Sequence, residues 1–116
     1  LHQVSRMVRD IEESTVFYRD VLGLRHLYSF GELAFFDLGG TRLYLHETKH
    51  PGVESVLYFQ VDDLAPAQAA LEAKGVVFSS GTYMVHRHAD GTEEWLSFFT
   101  DPENRTLALM AQVARQ

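Results

Sequence analysis

Arg42, Tyr44 and His46 alternate with Leu43 and Leu45 along one short run of the chain. Successive side chains of an extended strand point to opposite faces, so this run places a guanidinium, a phenol and an imidazole on one side and two leucines on the other. His46 is the best general acid or base on offer, because an imidazole titrates near neutrality and Tyr44 is its neighbour on the same face. A half-buried histidine hydrogen-bonded across the strands would carry the same sequence, and no partner base or nucleophile accompanies it. Arg42 can hold a carboxylate or phosphate through a bidentate contact, or reach a rim and pair with an acidic side chain.

Other residues offer weaker chemistry. His86 and His88, two apart on one predicted strand, project from the same side and could hold a transition metal with His46 or Glu47; near a hairpin tip they could equally be solvated surface groups. Glu93 and Glu94 are adjacent and cannot face one way, so a paired-carboxylate mechanism has no support. Trp95 offers an aromatic floor or lid to a ligand, whereas Phe98-Phe99 and Phe35-Phe36 read as core packing. Zero cysteines exclude disulfides, thiolate metal sites and a cysteine nucleophile together. There is no Gly-rich phosphate loop and no Gly-x-Ser-x-Gly elbow.

The elements that position these residues repeat. Val8-Arg-Asp-Ile11 opens a helix closing at Gly23, and Val61-Asp-Asp-Leu64 opens another closing at Gly75. Leu33-Ala-Phe-Phe-Asp37 is echoed by Leu96-Ser-Phe-Phe-Thr100, and Leu43-Tyr-Leu45 by Leu107-Ala-Leu109. One supersecondary unit used twice can close around a shared cleft, which is where function is to be sought. With 116 residues for both copies, the repeats are expected to be halves of one fold: module one about 1–49, a linker about 50–54, and module two about 55–113.

Each module reads as strand, helix and three strands. Gln3 to Val8 is a strand, and Asp10, three residues before Glu13, caps the helix that follows. Strands are expected over Leu24–Tyr28, Leu33–Leu38 and Thr41–Glu47, with Gly39-Gly40 as the tight turn between the last two. In the second module a strand is expected over Ser55–Val61, a helix over Leu64–Lys74, and strands over Val76–Ser79, Met84–His88, Glu94–Thr100 and Thr106–Gln112. Ala89–Thr92 and Asp101–Asn104 have turn composition, and the loops Phe30–Glu32 and Gly81–Tyr83 are left without regular structure.

A formal charge of −6 disfavours a nucleic-acid partner, since such binding needs clustered Lys and Arg. No apolar run approaches the roughly 20 residues of a membrane span and no leader pattern is evident, so no membrane association and a cytoplasmic location are the expectations.

The motifs Val8-Arg-Asp-Ile11, Phe17-Tyr-Arg-Asp-Val-Leu-Gly-Leu24, Val61-Asp-Asp-Leu64 and Phe98-Phe-Thr-Asp-Pro-Glu-Asn104 resemble the vicinal-oxygen-chelate superfamily, which includes glyoxalase I, extradiol dioxygenases and bleomycin-resistance proteins. The resemblance implies an α+β fold of two βαβββ modules curled into a cup-like open barrel around a cleft, and a homodimer. In metal-using members one ligand precedes each helix-capping Asp by seven residues and one lies in the last strand of each module. Those positions hold Gln3, Tyr44, Val56 and Ala108 here, and two of the four have no donor atom. No cofactor is therefore expected, and nickel, zinc, manganese or iron would be a surprise.

If these positions face the cleft, alternation brings Gln3, Ser5 and Met7 to its wall from the first strand and Arg42, Tyr44 and His46 from the fourth. Tyr58 and Gln60 with Val56, and Met110 with Thr106 and Ala108, would line it from the second module. Arg6, between Val4 and Val8, is the exception on an otherwise apolar opposite face. The mixture of aromatic, thioether, amide and charged groups suits a small organic ligand. The function expected is capture of such a molecule without metal. A metal-dependent lyase or dioxygenase, and a metal-free acid–base enzyme using His46 or Tyr44, are the alternatives.

Overall fold

The computed structural model describes residues 1–79 and 81–114. They form two compact units, Leu1–Ser55 and the chain from Val56 onward. The first contains strand β1 (Gln3–Val8), helix α1 (Ile11–Val16) and strands β2 (Arg25–Phe30), β3 (Leu33–Asp37) and β4 (Arg42–Glu47). The second contains β5 (Tyr58–Gln60), α2 (Leu64–Ala73), β6 (Tyr83–Arg87), β7 (Glu93–Thr100) and β8 (Thr106–Val113). Strand order is β1-β4-β3-β2 in one sheet and β5-β8-β7-β6 in the other. In each, the first strand runs parallel to the last and the remaining pairs are antiparallel. The fold is α+β, and each unit is a βαβββ module.

Local chemistry accounts for the element ends. The Asp10 carboxylate accepts from the Glu13 amide at 3.0 Å and starts α1, satisfying one of the amides a helix leaves without an internal partner. Past Val16 the helix widens into a π turn, Phe17–Val21, in which the Leu22 amide reaches back to the Phe17 carbonyl at 3.0 Å. The helix expected as one regular stretch thus changes pitch midway, with Phe17 and Tyr18 both buried there. Gly39 and Gly40 take φ of +79° and +110°, the conformations a tight hairpin turn asks of both its central residues.

The sheet of the first unit buries one face. Ala34 pairs with Leu45 and Phe36 with Leu43, all four fully buried, and α1 packs over β3 and β4. The Tyr18 ring lies 5.9 Å from Phe36. Arg6 obeys the same alternation: it pairs with Leu45 on the apolar face, is 3% exposed, and donates from Nη1 to the Ser55 carbonyl at 2.6 Å. The adjoining Glu54 carboxylate accepts from the Met7 amide at 2.7 Å. His50–Glu54, expected as a linker, is therefore held within the first unit. In the second unit Leu107, Leu109 and Phe99 occupy the corresponding buried face, with Leu64 and Leu71 of α2.

Three expected boundaries move. β2 runs on to Phe30 because Ser29 pairs with Ala34 and Phe30 with Leu33, which shortens the loop to Gly31 and Glu32. The strand expected over Ser55–Val61 contracts to Tyr58–Gln60, with Ser55 engaged by Arg6. The strand expected over Val76–Ser79 is a single bridge between Phe78 and Phe99. Its first amide is already used: Gly75 takes φ +91° and turns the Val76 N–H back to the Leu71 carbonyl at 3.1 Å, closing α2. No helix among the described residues is long and apolar enough to cross a membrane.

Phe36→Ala removes a fully buried ring from the first core, and is expected to cost about 3–5 kcal/mol in urea unfolding. Val85→Ala, on the exposed strand β6, should stay within about 0.5 kcal/mol.

Candidate functional site

The face of the first sheet opposite its core is a grid set by register. Across β1, β4, β3 and β2 one row reads Gln3, Arg42, Asp37, Arg25; the next reads Ser5, Tyr44, Phe35, Tyr28; the third reads Met7, His46, Leu33, Phe30. All six residues expected from β1 and β4 lie on this one face.

The middle row is aromatic. Tyr28 and Phe35 stack with centroids 4.6 Å apart, and Phe35 and Tyr44 at 5.3 Å. Phe30 adds a ring 5.7 Å from Phe35. Phe30 is 59% exposed and Tyr28 44%, whereas Phe35 is buried among its neighbours. The expectation that Phe35 and Phe36 both pack in the core is thus corrected: Phe36 does, and Phe35 faces the other way. The signal was available, because adjacent strand residues cannot share a face. Phe30 falls in an expected loop, and Tyr28 ends an expected strand whose faces the sequence leaves unassigned.

The polar row is incomplete in its bonding. Arg42 donates from Nη1 to the Tyr28 hydroxyl at a long 3.4 Å, and its guanidinium carbon stands 5.7 Å from the Phe35 ring centroid. Its Nε is buried without a hydrogen-bond partner among the described residues, and so is Oε1 of Gln3, the residue beside it in the row. Asp37, the register partner of Arg42, does not neutralise it. Its carboxylate accepts instead from the amides of Gly39 at 3.1 Å and Gly40 at 3.3 Å, holding the turn.

His46 is exposed and borders an open hollow of about 880 Å³ that also involves Arg9, Glu12, Glu32 and Lys49. Among the described residues no hydrogen bond ties it to Tyr44 or orients its ring. The base–orienter pair that acid–base catalysis requires is not assembled around it.

In the second unit Tyr58 pairs with Ala108 and Gln60 with Met110, so Tyr58, Gln60 and Met110 share a face. Phe98 lies on that face, 6.1 Å from both Tyr58 and Tyr83, whereas Phe99 is in the core; the expectation of two core rings is corrected here as well. Trp95 separates from this group. It pairs with Ala111 on the opposite face, donates from Nε1 to Glu93 at 3.0 Å, and borders a cavity of about 170 Å³ beside Leu64 of α2. Glu93 is buried and also takes two hydrogen bonds from Arg87, at 2.6 and 3.0 Å.

Glu94 faces the other way, as adjacency requires, and accepts from Gln112 Nε2 at 3.0 Å while meeting His88 Nε2 at 2.9 Å. The His86 and His88 rings stand perpendicular, 4.5 Å apart. Among the described residues no group of three or more His, Asp or Glu side chains is arranged to hold a metal ion.

Residues 1–109 match the family model of the Glyoxalase/Bleomycin resistance protein/Dioxygenase superfamily. The chain belongs to this superfamily. No match was found among curated proteins. Solved superfamily-like structures cover nearly the whole chain. A lactoylglutathione lyase from Agrobacterium tumefaciens is 22% identical with a TM-score of 0.72, over 96% of this chain and 92% of the other. An integron cassette protein from the mobile metagenome of the Halifax Harbour sewage outfall is 25% identical with a TM-score of 0.75, over 96% and 97%. A virulence protein from Salmonella typhimurium is 19% identical with a TM-score of 0.78, over 97% and 96%.

The donor set at the superfamily's metal-ligand positions does not fit an ion. Val56 and Ala108 offer no donor atom, and neither Gln3 nor Tyr44 is the carboxylate or imidazole that holds such ions most readily. Gln3 does bring a buried acceptor without a partner, but one amide oxygen is not a coordination sphere.

The His88–Glu94 contact has a measurable consequence. The hydrogen bond with His88, chiefly, and that from Gln112 hold the Glu94 carboxyl below the usual glutamate range. Because the folded-state value is depressed, the stabilisation it brings is present above the unfolded pKa and is lost as pH falls through the folded one. An NMR titration should place the Glu94 midpoint low, and His88→Ala should raise it; an unmoved midpoint in the variant would remove the contact from this account.

Proposed function

We propose that this superfamily member binds a small organic molecule on the aromatic face of its first sheet and does so without a metal ion. The observation that carries the reading is the stacked row of Tyr28, Phe35 and Tyr44 with Phe30, an ordered aromatic surface on the side of the sheet that the core of its unit does not use. Apolar area of this kind supplies affinity, and the neighbouring Gln3, Arg42 and Ser5 supply orientation, the usual division of labour in a ligand pocket. Tyr58, Gln60 and Met110, which share a face of the second unit's sheet, are proposed as further ligand contacts from the family resemblance. The reading itself requires only the first sheet.

Capture rather than turnover is proposed because the groups that chemistry would recruit are not organised for it. His46 has no orienting partner among the described residues, and two of the four metal-ligand positions, Val56 and Ala108, have no donor atom. The family resemblance supports a homodimer as the working form. Light scattering coupled to size-exclusion chromatography checks the subunit count, and a monomer would end that part of the proposal.

Two measurements test the reading together. Elemental analysis after incubation with nickel, zinc, manganese and ferrous iron, followed by dialysis, should find no stoichiometric ion. A thermal-shift screen of small organic compounds should find at least one that raises Tm, since a ligand at a hundred times its Kd adds about 2.7 kcal/mol to stability. Tyr28→Ala should abolish that shift while leaving the unliganded Tm near its original value, as expected for a half-exposed side chain. A retained ion would reinstate the lyase and dioxygenase alternatives.

A further inference from the structure

We propose that the molecule bound on this face is a planar aromatic carboxylate, an inference that rests on the small-molecule reading above and names its ligand class. Charge is the first argument. Arg42 sits on a sheet face with no carboxylate within ion-pairing distance among the described residues; its partner across the strand, Asp37, turns Oδ1 to the amides of the Gly39-Gly40 turn. Arg25, beyond Asp37 in the same row, is a second cation. A protein carrying a net charge of −6 repels anions in general, so a cation left unpaired in this position selects one small anion rather than a polyanion.

Geometry is the second argument. The guanidinium stands 5.7 Å from the Phe35 ring centroid, and its hydrogen bond to the Tyr28 hydroxyl is long, 3.4 Å. Its Nε–H is buried without a partner among the described residues, so a ligand meets the outer end of the guanidinium. A carboxylate is planar and suits the parallel N–H bonds of a guanidinium fork, which makes it the anion such a group holds with most geometric specificity. Oε1 of Gln3, beside Arg42, is likewise buried without a hydrogen-bond partner among the described residues.

The aromatic row sets the remainder of the ligand. Tyr28 offers exposed ring surface in the row next to that of Arg42, and Phe30 in the row beyond it. A flat ring carrying the carboxylate covers that surface while its anionic end reaches Arg42, and aromatic pairs add affinity beyond the area they bury. An aliphatic acid would satisfy the cation and leave the rings wet; a neutral aromatic would do the reverse.

The probe is 2-naphthoate, compared by calorimetry with the neutral isostere 2-naphthamide and with acetate. The acid should bind at least about tenfold more tightly than either, the size of effect expected of a charge-assisted bidentate contact. Arg42→Gln should erase the preference for acid over amide, and Phe30→Ala, at an exposed position, should weaken both naphthyl compounds. Equal binding of acid and amide by the unaltered protein, or undiminished acid binding by Arg42→Gln, would overturn the ligand class. The small-molecule reading would survive that result if Tyr28-dependent binders emerged from the thermal-shift screen. Failure of every compound in both experiments would overturn the two together.

Discussion

The pleat of the β-strand governs everything else in this protein. A period of two forces each pair of adjacent residues onto opposite faces, so no strand can bury a run of apolar side chains on a single side. Where Phe35 is followed by Phe36, and Phe98 by Phe99, one ring of each pair enters the core and the other must be presented away from it. The aromatic surface of the first sheet is thus a by-product of core formation that register has assembled into a continuous row. Its rings come from three strands, and a slip of one residue in any of them would move that strand's rings into the core and its core residues to the surface.

Arg6 shows the same constraint acting against hydrophobicity. Register puts it on the apolar face beside Leu45, and the chain answers by bringing the Ser55 carbonyl to its guanidinium rather than by bending the strand. A charged hydrogen bond of this kind offsets desolvation that would otherwise be costly. The segment supplying it is the same one that offers Glu54 to the Met7 amide, so a stretch with turn composition is bound to the edge strand at two points.

What could be read from the sequence was what local chemistry decides. The Asp10 cap, the Gly39-Gly40 turn, the duplicated βαβββ order and the shared face of Arg42, Tyr44 and His46 follow from neighbours in the chain. What escaped was decided by distant partners. The amide of Val76 serves the helix behind it, Ser55 answers Arg6, and Asp37 turns from the arginine opposite it toward two glycine amides. Trp95 is the clearest case in the candidate site: its residue type suits a ligand wall, but its register with Ala111 puts it on the other side from Tyr58, Gln60 and Met110.

The clamp on β1 also bears on how the protein is made. β1 precedes the other strands of its unit, yet it pairs with β4, and its buried arginine donates to the carbonyl of Ser55. The β2–β3–β4 meander can form from near neighbours as it emerges, whereas closing β1 onto it carries the entropy of a long loop. The hydrogen bond that holds Arg6 cannot form until the chain has been made as far as Ser55. The sequence that completes this clamp is the one that leads into the second unit.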